Sequence, residues 1–219
     1  MTRKGKSFAT IGLGAFGGTV ATELQRIGNR VLGIDSDARR VSQYVDQLSE
    51  TAILDASDET ALREVGLDRY DMVLIAIGDS IEASLLATMN ARLLGVPEIW
   101  VKASSRTHHR ILTKLGVDRV LLPEHEMGRH IAQVMNNPVV QDYVSLGNGF
   151  SVVHIAVPPA LAGRSIPQLE LPSQGLRALG VMRGTEFLAI TDPTLTLAED
   201  DKLLILGKRP ELRRFGDSL

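Results

Sequence analysis

The chain has 219 residues, 44% of them hydrophobic and 23% charged, with a formal net charge of −2 and no cysteine. That composition excludes a disordered chain and gives no electrostatic reason to bind nucleic acid or an anionic membrane surface. The absent thiols exclude disulfides, thiolate catalysis and cysteine-held metals, and no apolar run reaches the ~18–20 residues of a membrane-spanning helix.

The opening Met1-Thr2-Arg3-Lys4-Gly5-Lys6 leads into a strand and does not resemble a secretory signal, so the expected compartment is the cytoplasm. Short apolar runs follow at 8–11, 30–34, 52–54, 72–76 and 99–101, with a weaker one at Val120-Leu121. Near-continuous apolar runs separated by helical patterns predict a parallel sheet covered on both faces. The first helix, from Phe16, carries Val20, Leu24 and Ile27 at helical spacing and stops at Gly28-Asn29. Ser36-Asp37 caps the second, Ser57-Asp58-Glu59 opens a third ending at Gly66, and the longest runs from Ile81 to Leu94. The expected fold is α/β, a Rossmann-type doubly wound parallel sheet.

The pattern changes after Glu124. A helix over 124–135 presents Met127, Ile131, Val134 and Met135, and Asn136-Asn137-Pro138 ends it as a candidate hinge. Beyond about residue 143 strands are expected at 150–157, 176–182, 186–190 and 202–206. The expected domains are thus residues 1–137, a nucleotide-binding lobe with its crossover helix, and 138–219, a smaller β-rich α+β lobe.

The motif with most chemical content is Gly12-Leu13-Gly14-Ala15-Phe16-Gly17, placed between a predicted strand and a predicted helix. Gly12 makes the tight turn, Gly14 allows backbone to approach a pyrophosphate, and Gly17 lets helix and strand pack closely. The helix directs its N-terminal amides and positive dipole end at the phosphates. Asp35, at the end of the second strand, is placed to accept hydrogen bonds from ribose hydroxyls. Other strand ends supply further walls: Asp55-Ala56, Ile77-Gly78 and Lys102. Lys102 is either a phosphate contact or a solvated strand end, and Asp55 either borders adenosine or caps the helix starting near Asp58.

A dehydrogenase using this loop is the alternative function. It requires a general acid or base beside the nicotinamide, and none is identifiable. His154 lies alone in an alternating strand, His108 and His109 begin a helix, and His125-Glu126 with His130 reads as exposed helix polarity without metal spacing.

Taken in order, the glycine loop, Gly33-Ile34-Asp35, Leu54-Asp55-Ala56-Ser57-Asp58, Ala76-Ile77-Gly78, Val101-Lys102-Ala103, Leu115-Gly116-Val117-Asp118 and Leu122-Pro123-Glu124 resemble the regulator-of-potassium-conductance (RCK) family. The likeness is strongest to the cytosolic regulatory subunits of Ktr- and Trk-type potassium uptake systems. It extends into the second lobe through 161–166 and 195–203. The resemblance implies a non-enzymatic subunit that forms dimers and an octameric ring beneath a membrane potassium channel or transporter. ATP, ADP or NAD(H) would reshape that ring and gate ion flow. It also implies that loop 12–17 holds phosphates, with Asp35 at the ribose. Asp55, Ala56, Ile77 and Gly78 would border adenosine, and Lys102 would lie near the ligand. Glu124 would approach the phosphates across the dimer interface, where some relatives use the equivalent acid for a monovalent or divalent cation. As a local reading, Glu124 is equally a favourable acid at a helix start. Some relatives bind cyclic di-AMP at a C-lobe dimer interface, which nothing in these residues establishes.

One residue departs from the pattern. Close Ktr relatives often carry Arg at the fourth loop position, where this chain has Ala15. Loss of a guanidinium–phosphate bond leads to an expectation of weak discrimination between ATP and ADP.

Overall fold

The computed structural model describes residues 5–136, 140–192 and 194–219. The chain divides into two compact units, Met1–Pro123 and Glu124–Leu219.

The first unit alternates strand and helix: β1 (Ser7–Ile11), α1 (Ala15–Arg26), β2 (Arg30–Asp35), α2 (Ala38–Ser42), β3 (Glu50–Ile53), α3 (Glu59–Glu64), β4 (Met72–Ile75), α4 (Ile81–Leu93), β5 (Ile99–Lys102), α5 (Arg106–Lys114) and β6 (Arg119–Leu121). The strands form one parallel sheet in the order β3-β2-β1-β4-β5-β6. This is the order of a doubly wound sheet whose direction of winding reverses between β1 and β4. Both faces are covered. Ile11, Ile34, Ile75, Val101 and Leu112 belong to one core, while Leu13, Ala21, Val31 and Val41 form a second. The helix starts follow local chemistry: the carboxylate of Asp37 accepts from Arg39 N, that of Asp58 from Thr60 N and Ala61 N, and Ser80 and Ser105 cap α4 and α5. Asp58 alone therefore caps α3, and the capping alternative for Asp55 is corrected.

The second unit opens with α6 (Pro123–Asn136) and continues as β7 (Val140–Gly147), β8 (Phe150–Ala156), β9 (Arg177–Arg183), β10 (Glu186–Leu188), β11 (Lys202–Lys208) and α7 (Arg209–Asp217). Its antiparallel sheet has the order β10-β9-β11-β8-β7. Along β8, Ser151, Val153 and Ile155 are buried and alternate with half-buried Val152, His154 and Ala156. Val153, Ile155, Val181, Leu203 and Ile205 pack under Leu212 and Phe215 of α7.

Three details differ from expectation. The strand expected to reach Ile190 ends at Leu188, because β10 pairs only with Val181–Arg183 of β9 and the chain then turns at Asp192, whose carboxylate accepts from Thr194 N at 2.8 Å. Helix α7 was not foreseen. The compact units separate before α6, whereas the expected boundary at 137/138 groups this helix with the first lobe. Asn137 and Pro138 of the candidate hinge lie outside the described residues.

Candidate functional site

The glycine loop sits at the β1 end of the sheet's reversal point, and its three glycines answer to three different constraints. Gly12 has φ +96°, and a Cβ there would meet Ala76 C and O at 2.9 Å. Its N–H donates to Ile34 O at 2.7 Å. A Cβ on Gly17 would lie 1.9 Å from Gly12 O and 3.0 Å from the Ala76 Cβ, so α1 approaches the sheet only because that atom is missing. Gly14 is different: φ is −69° and a Cβ would meet nothing within 4 Å. Nothing in the chain's own packing requires glycine at 14. A group approaching from outside would.

Gly14 is also the N-cap of α1, with no side-chain cap and no acid in the first turn. The first helical bond runs from Gly18 N to Gly14 O at 2.8 Å. The amides of Ala15, Phe16 and Gly17 therefore precede the helical ladder and point outward at the positive end of the dipole. An anion is the group that such an end accepts best.

Asp35 ends β2 and is only 6% exposed. Its Oδ2 accepts from Leu13 N at 2.8 Å and its Oδ1 from Asp37 N at 2.9 Å, so one carboxylate braces the glycine loop and the entry to α2. Arg40 Nη1 lies 3.5 Å from Oδ2. The sequence reading missed Arg40; its position five residues after a strand-end acid, one turn into α2, was the available signal. Leu54 N donates to Asp35 O at 3.2 Å, tying the end of β3 beside that of β2. There Asp55 is exposed and accepts from Ser57 N at 2.9 Å and Ser57 Oγ at 2.8 Å, and these bonds hold its carboxyl below the usual range. Ala56 is buried, and Asn90 Nδ2 donates to the carbonyls of Ala56 at 3.1 Å and Ser57 at 2.9 Å. That buried amide of α4, also missed, positions the third strand's loop.

Across the reversal point, Ile77 and Gly78 follow β4, with Ile77 half-buried and Gly78 exposed. Lys102, at the end of β5, extends over both the loop and Gly78: Nζ is 5.8 Å from the centroid of the Phe16 ring and 3.7 Å from where a Gly78 Cβ would stand. The structure thus brings the loop, Asp35, Gly78 and Lys102 to one end of the sheet, with Asp55 and Ala56 on the flanking strand end. Glu124 belongs to the other compact unit, exposed in the first turn of α6. Among the described residues no three His, Cys, Asp or Glu side chains group as metal ligands.

Two histidines have partners within their own unit. His108 is fully buried, its Nδ1 accepts from Ser104 N at 3.2 Å, and burial lowers its pKa. His125 and Glu126 are exposed as expected, while neighbouring His130 is half-buried, with Nδ1 3.0 Å from Tyr143 O and Nε2 3.5 Å from Asp142.

Comparison with known proteins agrees with this architecture. The TrkA-N domain model matches residues 8–123 and the TrkA-C domain model residues 151–219. The chain is 35% identical over 213 residues to the Ktr system potassium uptake protein A of Bacillus subtilis (strain 168), covering 97% of this chain and 96% of the relative. It is 37% identical over 208 residues to the protein of the same name from Vibrio alginolyticus, covering 94% of each. Among solved structures, the GsuK channel bound to NAD superposes with a TM-score of 0.66 at 13% identity, over 97% of this chain and 39% of that one. The Shewanella denitrificans Kef C-terminal domain in its AMP-bound form gives 0.50 at 22% identity, over 56% of this chain and 75% of that one. At these identities the structural likeness is one of fold. The relatives are named as potassium uptake proteins, which does not favour the dehydrogenase alternative. With both domain models matched in order and identity sustained over nearly its whole length, the chain belongs to the TrkA-N/TrkA-C family that includes the Ktr system potassium uptake proteins.

Proposed function

We propose that this chain is a cytoplasmic regulatory subunit that gates a membrane potassium channel or transporter, with an adenine nucleotide at the glycine loop as its signal. The observation that carries the reading is Gly14: its Cβ direction is open, its helix is uncapped, and Lys102 stands over the neighbouring Phe16. The amides at the start of α1 and Lys102 hold the phosphates. Asp35 takes the ribose, using the second lone pair that each carboxylate oxygen keeps after accepting from Leu13 N and Asp37 N. Asp55, Ala56, Ile77 and Gly78 border the adenosine. Solved proteins of this fold bound to NAD and to AMP support an adenine nucleotide as the ligand class. ATP and ADP both bind, with weak discrimination because Ala15 offers no cation to a terminal phosphate.

Assembly is the second half of the proposal. On α4 the small residues Ser84, Ala87, Thr88 and Ala91 face the core, while Leu86, Met89 and Leu93 are exposed, Leu93 at 68%. On α6 Met127, Ile131 and Met135 are exposed as well. Apolar stripes of this kind mark protein–protein contact, and they support a homodimer that closes into an octameric ring against its membrane partner. Glu124 approaches the nucleotide phosphates, and a cation there, within such a dimer. A regulator needs a ligand with unequal affinity for two states of the assembly. Light scattering and small-angle X-ray scattering of the purified chain with and without ATP or ADP test this. The proposal expects an assembly larger than a dimer whose scattering profile changes with nucleotide. A monomer that ignores both ligands would overturn it.

A further inference from the structure

Within the second unit a cavity of about 410 Å³ opens between α6, the inner side of β7 and β8, and α7. Tyr143, Val153 and Leu212 line it, and so do three arginines, Arg129 from α6 and Arg209 and Arg213 from α7. No carboxylate lines it among the described residues. Its size falls within the range of small-molecule sites, roughly 300–1,000 Å³.

One of these cations stands where the helix dipole disfavours it. Arg209 is the first residue of α7, at the helix's positive end, and Arg213 stands one turn further on. Both the i,i+4 repulsion and the dipole disfavour that arrangement. The first-turn acid Glu211 lies 3.7 Å from Arg214. Arg213 has only an exposed contact, Nε to Asp217 at 3.6 Å, worth little in water. Arg209 is aimed: its guanidinium stacks 5.7 Å from the Tyr143 ring centroid, and its Nη2 lies 3.5 Å from Ser145 Oγ. A guanidinium is a planar fork of fixed charge that holds an oxyanion bidentately, so a lining with three arginines and no carboxylate suits an anion.

We infer that this cavity binds a small organic anion carrying at least two anionic groups, phosphate or carboxylate, distinct from the ligand of the glycine loop. The full chain and its variants are dialysed to equilibrium against labelled pyrophosphate and, separately, labelled citrate, at low ionic strength and without nucleotide, since ADP itself carries two phosphates. Binding of at least one anion is expected, pyrophosphate alone marking a phosphate site and citrate alone a carboxylate site. Arg129→Gln and Arg213→Gln should each weaken that binding at least tenfold, whereas Gly14→Asp should leave it unchanged. Both arginines are exposed, so circular dichroism should show both variants folded. The inference is overturned if neither anion binds the wild-type chain, or if binding survives both arginine changes and disappears in Gly14→Asp.

Discussion

The two units solve burial differently. In the first, α-helices cover both faces of the parallel sheet, and β2 is buried at five consecutive positions from Val31 to Asp35. In the second, one face of the antiparallel sheet holds the core, while Val144, Phe150 and Phe187 remain exposed. A strand buried on both sides has to be apolar throughout, and a strand buried on one side has to alternate. The functional consequence is that the first unit's candidate site lies at strand ends, where the glycine-loop backbone meets the side chains of Asp35 and Lys102. The second unit's candidate site is built from side chains of two helices and of the strands beneath them.

That contrast predicts where single changes are costly. The largest effect should come from Gly17→Ala, whose added atom would stand 1.9 Å from Gly12 O. A backbone clash of this kind should cost about 3 kcal/mol or more, read as early unfolding of the first unit in hydrogen exchange while the second keeps its protection. Next is Arg183→Ala in the second unit. Arg183 forks onto Asp201 with Nε at 2.9 Å and Nη2 at 2.7 Å, and Asp201 is 2% exposed. Removing the half-exposed arginine leaves a buried carboxylate with one remaining backbone donor, Ala198 N, and should cost about 2 kcal/mol in urea denaturation. The Arg183 hydrogen bond, more than burial opposes it, holds the Asp201 pKa below the ordinary value. Stability from the pair is therefore complete above the unfolded carboxylate pKa of about 3.9 and is lost as pH falls through the lowered folded value.

A smaller, shared effect should appear at mildly acid pH. Burial lowers the pKa of His108 in the first unit and His154 in the second. A depressed folded pKa means stability is full above the unfolded value of about 6.5 and declines as pH falls below it. Denaturation midpoints measured from pH 7.5 to 5 should fall, and His108→Gln should flatten the decline for the first unit only. The smallest stability change is expected at Gly14→Ala, below about 1 kcal/mol, since that Cβ meets nothing.

The first unit was nearly all legible in sequence because each of its signals is local. Continuous apolar runs mark its strands, and Asp37, Asp58, Ser80 and Ser105 mark its helix starts. The loop leads from β1 into α1 and Asp35 ends β2, as the apolar runs implied, but the Asp35 bond to Leu13 N joins residues far apart in sequence and left no local trace. The second unit was harder. Helix α7 buries only Leu212, Phe215 and Gly216, too sparse a stripe to stand out in an otherwise charged segment. The cavity beside it depends on residues 129, 143, 153, 209, 212 and 213 converging in space, which no spacing along the chain announces.

The central claim is that an external phosphate, and not the fold, requires glycine at 14. Calorimetric titration of wild-type and Gly14→Asp chains with ADP tests it directly, with thermal unfolding of both recorded without ligand. The account predicts saturable binding to the wild type, near-native unfolding of the variant, and loss of at least tenfold in its ADP affinity. Equal ADP affinity in the two folded proteins would contradict it.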